Sequence, residues 1–380
     1  MSDFFTPAFL LILIFSTIRL ATPLIFAALG GMFSERAGVI NIALEGLMLA
    51  GAFTAAVATY ELNNPYLGFL SGIVVGGLVA LVFAVAVIKF EADQVVTGFA
   101  VSLLMLGLPA VISSRLYDSA GSTQQIAREF LLPDFNTFLW KGYNFATSNG
   151  YVDLVSVAIV IIATTAIIHI AIFKMARRMN RSGEFWKDVI YTGLVAGTFY
   201  LILALLVLFS SRLSIASVLA FVVVPVCWYV MYKTPFGLRI RAAGENPGAA
   251  DAAGVNVIRL RYIAVVLSGV LAAGGGAYLS IGQSSLFTRG MTAGRGYIAL
   301  AALILAKWKP IPVLLACLFF GFTEALAIQM QGVIKMPSGE DVPVQFIQII
   351  PYVLTIIVLA GFIGLSRAPK ALGIPYRKEN

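Results

Sequence analysis

Ionisable and amide side chains set in otherwise apolar sequence are the residues with chemical potential in this chain. Asn41 and Glu45 lie four apart in Phe33-Ser-Glu-Arg-Ala-Gly-Val-Ile-Asn-Ile-Ala-Leu-Glu-Gly46, so on a helix they share one face. Glu324 stands within the apolar run Gly321-Phe-Thr-Glu-Ala-Leu-Ala-Ile-Gln-Met-Gln331, and Arg19 within another. Charges at membrane depth are costly and normally face a cavity or a partner. Glu45 therefore reads in three ways: it lines a path, it pairs with Arg19, or it caps a helix end. Glu324 either lines the path, pairs with Arg19 or is held protonated. The polar, glycine-rich stretch Gly282 to Gly296 offers Gln283, Phe287 and Arg289 to close or line the outer mouth of such a path.

Most catalytic chemistry is excluded. The chain has no phosphate-binding Gly-x-x-x-x-Gly-Lys-Ser/Thr loop, no His-Glu-x-x-His and no Gly-x-Ser-x-Gly elbow. Its single histidine, His169, falls inside an apolar segment, where it is either a packed side chain or a proton relay. Cys227 and Cys317 are isolated in apolar runs and make neither a disulfide framework nor a metal site. The chain thus reads as no enzyme, with no metal and no cofactor of its own.

The elements that position these residues follow from composition. The chain is 60% apolar and 12% charged with mean hydropathy +0.93, against about 25% charged in ordinary globular domains. That describes an all-α polytopic membrane protein, because a span needs about 20 apolar residues and continuous runs of that length form helices in lipid. Spans are expected at about 5–31, 41–60, 67–88, 94–114, 152–173, 188–210, 214–232, 262–281, 291–306, 311–330 and 345–364, giving eleven, or as few as nine if the weakest fail. The ninth is short and follows a glycine cluster, so it reads as a half-helix. Gly30, Gly31 and Gly38 allow a break between the first two spans. Gly269, Ala273, Ala277 and Ala272, Gly276, Ser280 form two rows of small residues suited to close helix packing. The first apolar segment lacks a basic leader and a cleavage site and is expected to stay in the mature protein.

Basic residues set the orientation. Of the 26 lysines and arginines, 18 fall in Arg36, Lys89, 174–187, 233–261, 307–309 and the C-terminal tail, and 7 in the opposite loops. The first group, with the C-terminus, is expected in the cytoplasm. The net charge of +8 follows from this bias and needs no nucleic acid.

The longest expected interior loop, 233–261, holds Thr234-Pro-Phe-Gly-Leu-Arg-Ile-Arg-Ala-Ala-Gly-Glu-Asn-Pro-Gly-Ala-Ala-Asp-Ala-Ala-Gly254. Small residues beside Arg239 and Arg241 suit a short helix along the membrane face that touches another protein. Together with Glu35 to Gly46 and Thr292-Ala-Gly-Arg-Gly-Tyr-Ile-Ala-Leu-Ala301, it resembles the ABC importer permeases of the branched-chain amino acid/simple sugar superfamily, most closely their nucleoside-type branch. The likeness covers about 15–115 and 230–365, with its motifs in order.

The resemblance implies a permease subunit that provides half of a translocation path in a bacterial cytoplasmic membrane. Its implied partners are ABC ATPase subunits that hydrolyse the ATP, a second and different permease, and an extracytoplasmic substrate-binding protein. It implies that Arg239, Arg241, Gly244, Glu245, Asn246, Pro247 and Asp251 form the coupling helix seated on the ATPase, bounded by Pro235 and Pro247. Asn41, Glu45, Gln283, Phe287 and Glu324 are then the expected pathway residues, for a purine or other nucleoside. Riboflavin or a simple sugar is the alternative cargo, and an ion-coupled secondary transporter or a membrane scaffold the alternative class. One departure from the family pattern is an extra hairpin at about 174–212, read as an insertion in a single permease domain of 1–380.

Overall fold

Helix α1 runs from Pro7 to Arg36 and stops because the next residues build a Schellman cap. Gly38 adopts φ +94°, Gly38 N donates to Glu35 O, and Val39 N donates to Ser34 O. Only glycine enters that left-handed region without strain. The helix passes through Gly30 and Gly31, so the break expected from those two residues lies at Gly38 alone. Gly30 serves packing: a Cβ there would lie 2.6 Å from Ser268 O.

The computed structural model describes residues 7–119, 121–134, 213–331, 349, 353 and 367–377. After α1 come α2 (Leu44–Leu62), α3 (Pro65–Ala84, continued by a π-helical turn Val85–Lys89) and α4 (Gln94–Tyr117). Then follow α5 (Ile215–Lys233), α6 (Pro235–Glu245), α7 (Pro247–Ala252) and α8 (Val257–Tyr278, continued by a π-helical turn Leu279–Gln283). The last are α9 (Arg295–Leu305) and α10 (Pro310–Met330). Their starts are written in the sequence. Asn64, Asp93, Thr234, Asn246 and Asn256 each accept backbone N–H groups of the turn that follows, and Pro65, Pro235, Pro247 and Pro310 occupy first-turn positions.

Six of the described helices are long and apolar enough to cross a membrane: Ile12–Arg36, Pro65–Lys89, Gln94–Tyr117, Ile215–Lys233, Val257–Gln283 and Pro310–Met330. The chain is an all-α, multi-pass membrane protein. The expected spans at 152–173, 188–210 and 345–364 (but for Ile349 and Val353), the hairpin at 174–212 and His169 lie outside the described residues. The first span extends to Arg36 and the eighth begins at Val257, because Asn256 caps it below the apolar run. The ninth is the half-helix its sequence suggests: eleven residues rise about 16 Å, half of a bilayer core of about 30 Å.

By internal contacts the chain divides into two compact units, Met1–Leu132 with Ala216–Asn380, and Pro133–Ile215. The second is described only at its ends, where Ile215 N donates to Pro133 O at 3.1 Å. In the first, α8 packs against α1, α2 and α3, with small residues at each crossing. A Cβ on Gly276 would run into the Met48 carbonyl of α2, one on Gly51 into the Ala273 backbone of α8, and one on Gly76 into the Ala273 side chain. Lipid supplies no hydrophobic drive between helices, so van der Waals contact through such surfaces holds the bundle together.

Candidate functional site

The segment 37–43, between α1 and α2, is tied to α1, α4, α8 and the C-terminal residues. Arg261 Nε donates to Ala37 O at 3.1 Å, Gly373 N to Gly38 O at 3.1 Å, Ser34 Oγ to Val39 O at 2.8 Å, and Ile40 N to Gln94 Oε1 at 2.7 Å. The Glu35 carboxylate accepts from the Asn41 backbone and from Trp308 Nε1. Asn41 Nδ2 donates to Ser268 Oγ at 2.8 Å, while Asn41 Oδ1 is buried without a partner. Arg261 and Ser268 are seven residues apart on α8, so the segment climbs about 10 Å into the bundle between Ala37 and Asn41. Consequently α2 starts well inside the structure.

Glu45, in the first turn of α2, is buried and resolves its charge locally. Its Oε1 accepts from Thr292 Oγ1 at 2.6 Å and Gly294 N at 2.8 Å, and its Oε2 from Gly296 N at 2.7 Å. Those amides are the free N-terminal donors of α9, which has no cap from its own side chains. A carboxylate is stabilised there by charge-assisted bonds and the helix dipole. Of the three readings of Glu45, the structure carries out the helix cap, across two helices, and it does not pair with Arg19.

Glu324 also takes a partner other than Arg19. Arg295 Nη2 reaches Glu324 Oε1 at 2.6 Å, with side chains 16% and 26% exposed. Exposed ion pairs contribute about 0–1 kcal/mol, whereas stripping one partner from a buried pair costs about 3–5 kcal/mol; this pair lies between. Arg295 therefore does not belong among the loop cations that set orientation. Arg19 is exposed and lies beside the buried Tyr278 hydroxyl, which Ser217 Oγ approaches at 3.4 Å. Glu45, Arg295 and Glu324 thus form a connected polar group around the N-terminus of the half-helix α9. Asn41 meets Ser268 at the opposite end of the α2 entrance.

Gln283 and Phe287 lie at the other end of the bundle. Residues 281–289 and 121–132 are stitched together by Thr123 N to Phe287 O at 3.1 Å, Ile126 N to Ser285 O at 2.7 Å, Leu132 N to Ile281 O at 2.9 Å and Arg289 N to Gly121 O at 2.6 Å. Between them opens a cavity of about 690 Å³, lined by Gln125, Arg128, Gln283, Ser284 and Ser285 among others. Gln283 Oε1 is buried and unpartnered. Phe287 is 1% exposed and packs edge-on to Phe53 with ring centroids 5.2 Å apart. There it anchors the loop, with its ring buried against Phe53.

The expected coupling helix is two helices. Asn246 is extended (φ −151°, ψ 91°), ending α6 and capping α7, so Pro247 opens a second helix where it was expected to close the first. Leu238, Arg239, Glu245 and Asn246 are exposed, and Pro247 and Asp251 partly so. Arg241 stacks on Tyr232 at 4.9 Å. Gly244 faces inward: a Cβ there would strike the Arg36 carbonyl, and Gly244 O accepts from Ala371 N at 2.9 Å. It is a packing position, not a docking one. Sequence reasoning also missed Arg261, Thr292 and Trp308. Arg36 donates to the Trp308 carbonyl and Arg377 forms a bidentate pair with Glu91, so Arg36, the 90–93 turn, α6, 307–309 and the tail share one end.

The described helices form a multi-pass membrane bundle with a half-helix inside it and two short helices at one end. The chain belongs to the family described as branched-chain amino acid transport system / permease component, which it matches over residues 13–359. It is 37% identical over 378 residues to the guanosine ABC transporter permease protein NupQ of Bacillus subtilis, covering 97% of each chain. It is 33% identical over 366 residues to the nucleoside ABC transporter permease protein NupC of Lactococcus lactis, covering 94% of each. The ribose import permease protein RbsC of Bacillus subtilis is 40% identical over 94 residues, 24% of this chain and 27% of its own. No solved structure matches the chain.

Proposed function

We propose that this permease imports nucleosides, purine nucleosides foremost, as one half of a translocation path. The observation that carries the reading is near-full-length similarity to two permeases named for guanosine and nucleosides. ATP is hydrolysed by separate ATPase subunits. A second, different permease completes the path, and an extracytoplasmic binding protein delivers the cargo. The chain acts as one permease domain, with 233–261 as its coupling loop and 174–212 as an inserted hairpin facing lipid or a neighbouring subunit.

The ATPase docks on the exposed side of α6 and α7, at Leu238, Arg239, Glu245, Asn246, Pro247 and Asp251, with Arg241 held behind them on Tyr232. This end is cytoplasmic, as is the C-terminus; the reading is supported by the excess of Lys and Arg in the loops that meet here. Substrate enters past Gln283 at the cavity of about 690 Å³, a size within the range of small-molecule sites. It passes the Arg295–Glu324 pair and the Asn41–Glu45 segment, whose fixed dipoles and partly exposed charges offer hydrogen bonds to a neutral, polar ligand. Phe287 contributes by holding the mouth in shape.

The test is uptake of labelled guanosine, adenosine, riboflavin and ribose into vesicles containing this chain with its ATPase, second permease and binding protein. Nucleoside uptake that unlabelled guanosine competes supports the reading. Uptake of ribose or riboflavin alone, which the shorter match to a ribose permease makes the specific alternative, overturns the cargo and keeps the machine.

A further inference from the structure

The C-terminal residues 367–377 cross the end that carries α6 and α7, and they touch α6, the α1 cap, the base of α8 and the turn between α3 and α4. Ala371 N donates to Gly244 O at 2.9 Å, at the close of α6. Gly373 N donates to Gly38 O at 3.1 Å, in the α1 cap. Arg261 Nη1, at the base of α8, donates to Ile374 O at 3.0 Å, while its Nε holds Ala37 O at 3.1 Å. Arg377 grips Glu91 through Nε at 2.7 Å and Nη2 at 2.6 Å, in the turn between α3 and α4.

The contacts are built rather than incidental. Ala371 is 5% exposed and Arg261 3%. Gly373 sits at φ +79°, and a Cβ there would lie 2.9 Å from Ile40 Cδ1. A buried guanidinium is expensive unless its donors are used; Nε and Nη1 of Arg261 join the tail to the segment 37–43, while its Nη2 is buried without a hydrogen-bond partner. That same segment leads to Asn41 and Glu45, and Glu45 holds the N-terminus of α9.

We infer that the tail is a strap that, through Arg261, ties the coupling helices α6 and α7 to the 37–43 segment, so that displacement of the coupling helices moves the entrance of α2 and the half-helix α9 with it. Arg261 and Gly373 are positioning residues: Arg261 acts through Ala37 and Ile374, and Gly373 through Gly38. Without the strap, α6 and α7 still dock and the ATPase still turns over, but α6 keeps only its direct contact with the α1 cap at Arg36, and less of the movement reaches Glu45. The inference rests on the reading that this end receives the ATPase.

The test is the ATP dependence of thiol labelling at Ile42→Cys, a half-buried site in the segment, in membranes containing the complete complex. This readout needs no substrate, so a wrong cargo leaves it intact. It is measured in the full chain, in a chain ending at Ala368, and in Gly373→Val, which keeps the tail but blocks its seat against Ile40. The labelling rate should change with ATP in the full chain. In both variants that response should fall by about fivefold or more, the low end of coupling between linked sites, while ATP hydrolysis per complex is retained. Arg261→Lys, which keeps a donor, should restore more of the response than Arg261→Met. An ATP response equal in all three chains, a loss of hydrolysis in step with the response, or no response in the full chain overturns the strap.

Discussion

At the scale of single residues, the polar groups inside this permease mostly hold other elements in place. Glu45 accepts three donors from the α9 N-terminus, and charge-assisted bonds of this kind contribute about 1.5–3 kcal/mol each. Glu45→Gln keeps the shape and loses the charge, so we expect it to cost about 2–3 kcal/mol, read as earlier thermal unfolding in detergent, together with loss of transport. Unchanged unfolding with altered substrate preference would make Glu45 a ligand-binding residue instead. Outside the membrane, the Arg377 guanidinium beside Glu91 holds that carboxyl below its ordinary value of 4.5. A lowered folded-state value means the contact is fully present above the ordinary value and is lost as pH falls through the lowered one. Cleavage of the tail by an acid-stable protease should therefore accelerate only below the ordinary carboxylate range. An acceleration already present near neutral pH would show that Glu91 does not hold the tail. The sequence announced Glu45 and Glu324 as costly charges but not their partners. Both readings reached for Arg19, placed mid-span, because Arg295, near the edge of the expected ninth span, was counted with the loop cations.

At the scale of helices, small residues determine where the bundle packs. Gly276 lies against the Met48 carbonyl, whereas Gly107 on α4 has no atom within 4 Å of where a Cβ would stand. Gly276→Ala should reduce the folded protein recovered from membranes several-fold, consistent with the 1–3 kcal/mol typical of overpacking. Gly107→Ala should leave it unchanged or raise it slightly. Equal recovery of the two would contradict packing through Gly276. These helices were legible because apolar run length and capping residues are local properties. The break after α1 was half-legible: three glycines allowed it, and only long-range contact shows that Gly30 is pressed on Ser268 while Gly38 turns the chain. The split of the coupling element at Asn246 was readable in principle from Asn246-Pro247, a cap followed by a first-turn proline. Gly244 was not, since its neighbours Arg36 and Ala371 are distant in sequence.

At the scale of the molecule, the described basic segments assigned to one side, Arg36, Lys89, 307–309 and 367–377, lie at the end that carries α6, α7 and the α1 cap. The polar group around α9 lies deeper in the bundle, and the Gln283 cavity lies at the opposite end. This arrangement suits a protein that receives work at one face and transmits it inward. Arg239, exposed on α6, is where the two activities can be separated, since its substitution leaves the internal packing untouched. The most direct measurement is guanosine uptake into vesicles of the complete complex. It is driven in turn by internal-face ATP and by imposed proton or sodium gradients, with Arg239→Glu alongside. Uptake is expected with ATP alone, indifferent to the gradients and reduced at least about tenfold in Arg239→Glu, the loss of about 1.4 kcal/mol of coupling. Uptake that follows a gradient without ATP, and that Arg239→Glu leaves unchanged, would contradict that expectation.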